Sequence, residues 1–291
     1  MAAQKIRKAV IPAAGWGTRF LPTTKAIPKE LLPLADKPVI QHTVEEAVAC
    51  GIEQIIIVTS PGKGALQSYF SPHRQLETAL KQKGDAEMLE KVKRTCELAD
   101  IRFVLQSEPK GLGHAVLIAA KEVGNEPFAV FLPDDLFAAD PPVIKQMEQV
   151  YQRYGGCVLA LLRVTPEDTK RYGIVKPEQV AERTYRVLDM VEKPGPDRAP
   201  SQLAIMGRYI LTPQILDALN ATTPGKGGEI QLTDGLSRLR QGQPVYGYEF
   251  QGTYYDAGKP LGLLKTSIAW TLKHPETGAE LRAYLKKIIE D

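Results

Sequence analysis

Short apolar runs alternate along this chain with stretches of helical spacing, and that alternation limits the fold more than any other feature. Lys8–Pro12 is an apolar strand entering a glycine turn, Val39–Cys50 has helical spacing, and Ile55–Thr59 is a compact β-branched run. Ile101–Leu105 and Phe128–Leu132 are further strands, the second ending in Pro133-Asp134-Asp135. Helices are expected over Gly113–Ala120 and Pro142–Tyr154. Cys157–Val164 is an apolar run interrupted only by Arg163, the pattern of a strand covered on both faces. Strands that alternate with helices predict an α/β architecture around a mostly parallel sheet.

After Val164 the character changes. Gly173–Val175, Tyr185–Val191, Ala204–Ile210 and Val245–Gln251 are strand-like, with Pro213–Leu219 and Ile230–Leu239 helical, and a helical tail follows Lys259. Ser71–Leu98 mixes leucines and charges at helical spacing, with a break at Gly84-Asp85. No repeat or linker divides the chain. A single domain is therefore expected over 1–291, with one half at about 1–165 and an elaborated second half at about 166–291.

Composition excludes several classes. Thirty-seven basic against 34 acidic residues leave a net charge of +3, too small an excess for a nucleic-acid binder. No stretch approaches a membrane-spanning run, and the basic-then-apolar start reads as a first strand, not a signal peptide. Three dispersed cysteines suit a reducing, cytoplasmic setting. Four histidines without HxxxH spacing, and no CxxC pair, argue against structural zinc.

The segment AVIPAAGWGTRFLPTTKAIPKELLPL at 9–34 carries the chemistry. Glycine permits sharp turns that gather backbone N–H groups and lets a phosphate approach closely. Gly15 and Gly17 follow a strand, where such a loop belongs, and Arg19, Lys25 and Lys29 supply positive charge. The spacing matches neither GxxxxGK[ST] nor a full GxGxxG, because Phe20 takes the last glycine position. A glycine hairpin with solvated basic residues is the competing reading.

Taken together, the motifs resemble those of the bacterial UTP–glucose-1-phosphate uridylyltransferases, also called UDP-glucose pyrophosphorylases. The resemblance rests on PAAGWGTRFLPTTKAIPKELLP at 12–33, QSEPKGLGHAV at 106–116 and FAVFLPDD at 128–135. It continues with RYGIV at 171–175, VEKP at 191–194, GGEIQLTD at 227–234 and YYDAGKPLG at 254–262. It implies a Rossmann-like nucleotidyltransferase fold around a mixed central sheet, UTP and glucose 1-phosphate as substrates, Mg²⁺, and a homodimer or homotetramer. Thymidylyl transfer is the nearest rival implied; a non-catalytic nucleotide-binding protein is a distant one.

By the same resemblance, Ala13, Ala14 and Gly15 cradle the nucleoside, while Gly17, Thr18 and Arg19 handle the triphosphate. Lys25 is the expected partner of the α-phosphate and the departing pyrophosphate. Gln106 reads uracil by donating to one carbonyl and accepting from the imide N–H, with Gly111 beside it. Asp134 and Asp256 are the expected Mg²⁺ pair, and Asp135 a surface or supporting residue. Glu192 accepts from sugar hydroxyls, Lys193 grips the sugar phosphate, and Gly173 lies near the ring. His114 either touches substrate or packs at a helix start. Glu229 and Gln231 belong either to the sugar pocket or to subunit packing. Pro61 replaces an expected arginine in VTSPGKG at 58–64, which weakens any direct role for that loop. Tyr254 replaces another arginine, which implies altered packing with unchanged chemistry.

Overall fold

In the computed structural model, which describes residues 4–225 and 228–290, the first strands sort their side chains by parity. Strand β1 (Lys8–Pro12) sends Ala9 and Ile11 into one apolar cluster and Val10 into another. A small ribbon of β2 (Pro33–Leu34) and β3 (Lys37–Pro38) leads into α1 (Val39–Ala49). Strand β4 (Gln54–Thr59) repeats the division: Ile55 and Ile57 join Ile11, and Ile56 and Val58 join Val10. Successive side chains on a strand point to opposite faces, so a sheet with two apolar faces must be covered on both.

The polar stretch after β4 forms α2 (Gly64–Tyr69), α3 (Arg74–Lys83) and α4 (Ala86–Arg94). The expected break falls at Gly84, which is left-handed, and at Asp85, whose side chain caps α4 by accepting from Met88 N at 3.1 Å. Neither α3 nor α4 buries a residue, so the pair lies on the surface. Strand β5 (Asp100–Leu105), α5 (Leu112–Ile118), α6 (Ala120–Val123), β6 (Phe128–Phe131), β7 (Asp135–Ala138), α7 (Val143–Tyr154) and β8 (Cys157–Arg163) follow. The second half supplies β9 (Gly173–Ala181), β10 (Thr184–Glu192), β11 (Leu203–Leu211), α8 (Gln214–Asn220) and α9 (Leu232–Leu239). It ends with β12 (Val245–Glu249), β13 (Thr253–Asp256), α10 (Pro260–Thr271) and α11 (Gly278–Glu290).

One nine-stranded sheet runs in the order β5-β4-β1-β6-β11-β8-β12-β10-β9. Strands β5, β4, β1 and β6 are mutually parallel, and β11 enters antiparallel between β6 and β8. Strand β12 pairs parallel with β8, and the antiparallel β10–β9 hairpin closes the far edge. The sheet is thus mixed: β10 and β11 alone run against the rest. Helices α1 and α7 cover one face, and α5, α8 and α9 the other.

Two consequences follow from this order. The chain leaves β1 with β4 on one side and β6 on the other, a topological switch point where a crevice opens at the carboxyl ends of strands. Strand β8, from the first half of the sequence, sits between β11 and β12 of the second, so the sheet does not divide near residue 165. Among the described residues no helix is long and apolar enough to cross a membrane.

Candidate active site

The loop at the end of β1 begins with Ala13, whose N–H donates to Val58 O at 2.7 Å. The next four N–H groups, of Ala14, Gly15, Trp16 and Gly17, have no protein acceptor among the described residues. Gly17 is left-handed (φ 66°), and a Cβ there would lie 3.1 Å from both Lys29 Cβ and Thr24 Cγ2. Glycine therefore serves both the turn and the close packing. Unpaired donors in such a turn make an anion-binding nest.

Ala14, Gly15 and Arg19 line a cleft of about 490 Å³ at the switch point. Ala13 is buried beneath it. Arg19 is exposed and makes no hydrogen bond or ion pair among the described residues, which leaves its guanidinium free for an anion. Thr18 and Lys25 instead border a neighbouring depression with Trp16 and Pro61. Lys25 is an exposed residue outside the cleft, and Lys29 reaches into it. Short 3₁₀ turns at Thr23–Lys25 and Lys29–Leu31 set these directions.

Lys29 Nζ donates to Asp134 Oδ2 at 2.6 Å. Burial opposes the charge on Lys29, but Asp134 and Glu30 outweigh it and hold the ammonium above the usual lysine range. The same contact, working against burial, holds the Asp134 carboxyl below its usual value. Asp134 and Asp256 come together through the β7–β13 ribbon, where Asp256 pairs in register with Asp135 and Ala257 N donates to Asp134 O at 2.8 Å. A Cβ on Gly258 would lie 2.9 Å from Asp134 Oδ2 and 3.1 Å from Asp256 Oδ1, so both carboxylates converge on that glycine. Arg171 Nη2 donates to Asp256 Oδ2 at 2.5 Å.

Among the described residues no cluster of three or more His, Cys, Asp or Glu side chains could by itself hold a metal. Two converging hard-oxygen donors fit Mg²⁺, which keeps waters and binds through one or two carboxylates plus substrate phosphates.

Asp135 is not a surface residue. It lines the cleft, accepts from Tyr254 Oη at 2.6 Å, and leaves no room for a side chain at position 207. Burial and the neighbouring Asp134 push its carboxyl up to about 7. Tyr254 therefore touches the acidic turn itself. Beneath the turn, fully buried Arg208 donates to Leu132 O at 3.0 Å and Asp135 O at 2.9 Å, and pairs with Glu46 of α1 at 2.6 Å.

The loop at 58–64 contacts the glycine loop despite Pro61. Lys63 Nζ donates to Ala13 O and Gly15 O, each at 2.7 Å, and to Glu30 at 2.9 Å.

Gln106 is buried at the cleft wall, with its Nε2 donating to Gly111 O at 3.3 Å and to His114 Nδ1 at 2.9 Å. Both amide protons are engaged, so Oε1 remains as the free acceptor. His114 holds the amide in place; its imidazole pKa is lowered by burial and by Lys110. Gly111 (φ 92°) packs so closely that a Cβ would meet Ile230 O at 2.8 Å.

At the other end, β10 stops at Glu192, and Lys193 turns left-handed (φ 47°). Adjacent side chains on a strand point to opposite faces, but that bend brings Lys193 Nζ to 3.0 Å from Glu192 Oε1. Thr233 Oγ1 donates to Glu192 Oε2 at 2.8 Å, and a Cβ at Gly173 would lie 3.2 Å from the same oxygen. Gly173, Glu192, Lys193, Glu229, Gln231 and Thr233 all line the cleft. The motif at 227–234 begins at Gly227, outside the described residues. Arg208 carried no sequence signal of a site role, whereas Thr233 and Lys63 stood unassigned inside GGEIQLTD and VTSPGKG. Arg171 stood inside the RYGIV motif.

With this geometry in view, the comparisons are decisive. The model of the nucleotidyl transferase family matches residues 8–271. The UTP–glucose-1-phosphate uridylyltransferase of Staphylococcus epidermidis is 50% identical over 285 residues, 98% of this chain and 99% of that protein. This chain belongs to the nucleotidyl transferases, among the bacterial UTP–glucose-1-phosphate uridylyltransferases.

Solved structures agree. A UDP-glucose pyrophosphorylase complexed with UDP-glucose is 44% identical with a TM-score of 0.83, covering 92% of this chain and all of that one (100%). The UTP-bound enzyme of Acinetobacter baumannii is 38% identical with a TM-score of 0.89, covering 96% of this chain and 98% of that one. Membership in this family implies a requirement for Mg²⁺.

Proposed function

We propose that this chain transfers a uridylyl group from UTP to α-D-glucose 1-phosphate, giving UDP-glucose and pyrophosphate. One observation carries the reading. Ala14 and Gly15 of the unpaired loop, free Arg19, Lys29 and the Glu192–Lys193 pair line one cleft, and Asp134 and Asp256 stand behind it, bonded to its lining residues Lys29 and Arg171. A reaction between two phosphates needs alignment and charge neutralisation more than a covalent intermediate.

Each residue then has a part. The 14–17 loop and Arg19 bind the triphosphate, and the Gln106 Oε1 accepts from the uracil imide N–H. Lys29, not Lys25, offsets charge on the α-phosphate and leaving pyrophosphate. Glu192 accepts from sugar hydroxyls, and Lys193 orients the sugar phosphate for in-line attack on the α-phosphorus. The nucleophile is already an anion near neutral pH, so no general base is required. Asp134 and Asp256 would hold Mg²⁺, which when bound would supply positive charge to offset that of the phosphates. The chain also works as a homo-oligomer; exposed Leu261 and Leu264 on α10, and Tyr284 and Ile288 on α11, support a self-association face.

Pyrophosphate release with Mg²⁺ tests the reading, with UTP and dTTP compared against glucose 1-phosphate. Turnover with strong UTP preference is the expected result. Preference for dTTP overturns the uracil assignment, and no turnover with either overturns the activity.

A further inference from the structure

We propose that Lys63 is a positioning residue for the nucleotide: it fixes the 13–14 and 15–16 peptide planes so that the N–H groups of Ala14 and Trp16 point away from it and stay available to the nucleotide. This rests on the UTP reading above. Lys63 lies just before α2 and borders the neighbouring depression, while its partner Glu30 lines the cleft. Its Nζ meets Ala13 O and Gly15 O at 2.7 Å each, and the Glu30 carboxylate at 2.9 and 3.1 Å. An ammonium has three protons. All are engaged, so Lys63 has none to offer a phosphate.

The geometry of the peptide bond does the rest. In a planar trans peptide the C=O and N–H point to opposite sides. With the carbonyls of Ala13 and Gly15 drawn toward Lys63, the N–H groups of Ala14 and Trp16 point away from it. Those two donors lack protein acceptors among the described residues, and Ala14 and Gly15 line the cleft. Freed from Lys63, either peptide could rotate and present a carbonyl oxygen to an anion. A single lysine thereby sets the sign of the surface that meets the triphosphate.

The clamp is well anchored. The Lys63 side chain is 11% exposed and that of Glu30 1%. Burial drives the Lys63 ammonium down and the Glu30 carboxyl up, and the contact between them opposes both tendencies. Glu30 also feels the charge of Lys29, which pairs with Asp134. Alternating charges thus run from the nucleotide loop to the acidic turn.

The test uses Lys63→Met, Glu30→Gln and the double variant Lys63→Met/Glu30→Gln. UTP affinity is read by equilibrium titration, KM for glucose 1-phosphate by steady-state kinetics, and thermal stability alongside. Lys63→Met is expected to weaken UTP binding about tenfold or more, while KM for glucose 1-phosphate stays within about twofold. The double variant removes the unpaired buried carboxylate. It should recover thermal stability without recovering UTP affinity, and it carries the test if Lys63→Met does not fold. Glu30→Gln, which keeps both loop contacts, should weaken UTP binding less than Lys63→Met does. Parental UTP affinity in the double variant would overturn the proposal, because Lys63 would then only neutralise Glu30. A parallel rise in both substrate requirements would also overturn it. Parental turnover with UTP and glucose 1-phosphate, measured in the same series, tests the functional reading separately.

Discussion

The two ends of the cleft are built from different materials. Under the proposed reading, recognition at the nucleotide end falls largely to the backbone: N–H groups of the 14–17 loop, held at the carboxyl end of a parallel strand buried on both sides. At the sugar end it falls to side chains at the tip of an antiparallel hairpin, where Glu192 and Lys193 are set by a left-handed bend. Backbone donors cannot be substituted away, so the nucleotide end depends on the groups that orient the loop. The sugar end depends on the carboxylate and ammonium themselves, and one substitution there should alter one substrate alone.

The sharpest break of this comparison lies where the ends meet. Lys29→Met should lower kcat by roughly 10²- to 10³-fold, the size expected for loss of a charged transition-state contact. Lys25→Ala should leave kcat within about threefold, since Lys25 stands outside the cleft. The reverse ranking would restore Lys25 as the phosphate partner. Next in size, Asp134→Asn and Asp256→Asn should each raise the Mg²⁺ concentration for half-maximal turnover roughly tenfold. Metal titrations that overlay the parent would remove the pair as ligands.

On the sugar side, Glu192→Ala should raise KM for glucose 1-phosphate about tenfold, in line with loss of charged hydrogen bonds. KM for UTP should hardly move; equal shifts would point to general damage at the hairpin. The smallest effect concerns pH. His114 has a folded pKa below the usual histidine value of about 6.5. Its neutral form, which accepts from Gln106, is therefore favoured by the fold. That contribution is complete above the usual value and is lost as pH falls through the lowered one. KM for UTP should rise about threefold on acidification through that window, and His114→Ala should flatten the profile.

Much of this was legible in the sequence, for physical reasons. Parity along Ala9–Ile11 and Ile55–Val58 encodes the covered sheet, and Gly84-Asp85 marks a helix end followed by a cap. The glycine loop and VEKP announce themselves because few residues tolerate those turns. What stayed hidden depends on direction. Lys25 and Lys29 sit four positions apart among short 3₁₀ turns, and spacing does not reveal which one faces Asp134. Gln106 lines the cleft, but its free atom is decided by Gly111 and His114. Tyr254 and Lys63 act across more than 45 residues of sequence, on Asp135 and on the Ala13 and Gly15 carbonyls, where no local pattern could register them.

The position of β8 between β11 and β12 bears on how the molecule is made. As the chain emerges from the ribosome, β5, β4, β1 and β6 can assemble early, but β6 must wait for β11 to cover its open edge. Strand β8, apolar along most of its length, waits for both neighbours. Until about residue 250 has been synthesised, the nascent protein therefore carries unpaired apolar strand edges of the kind that chaperones bind. A truncation just after β11 should be far more prone to aggregate than one that removes only α11, whose loss leaves every strand pair intact.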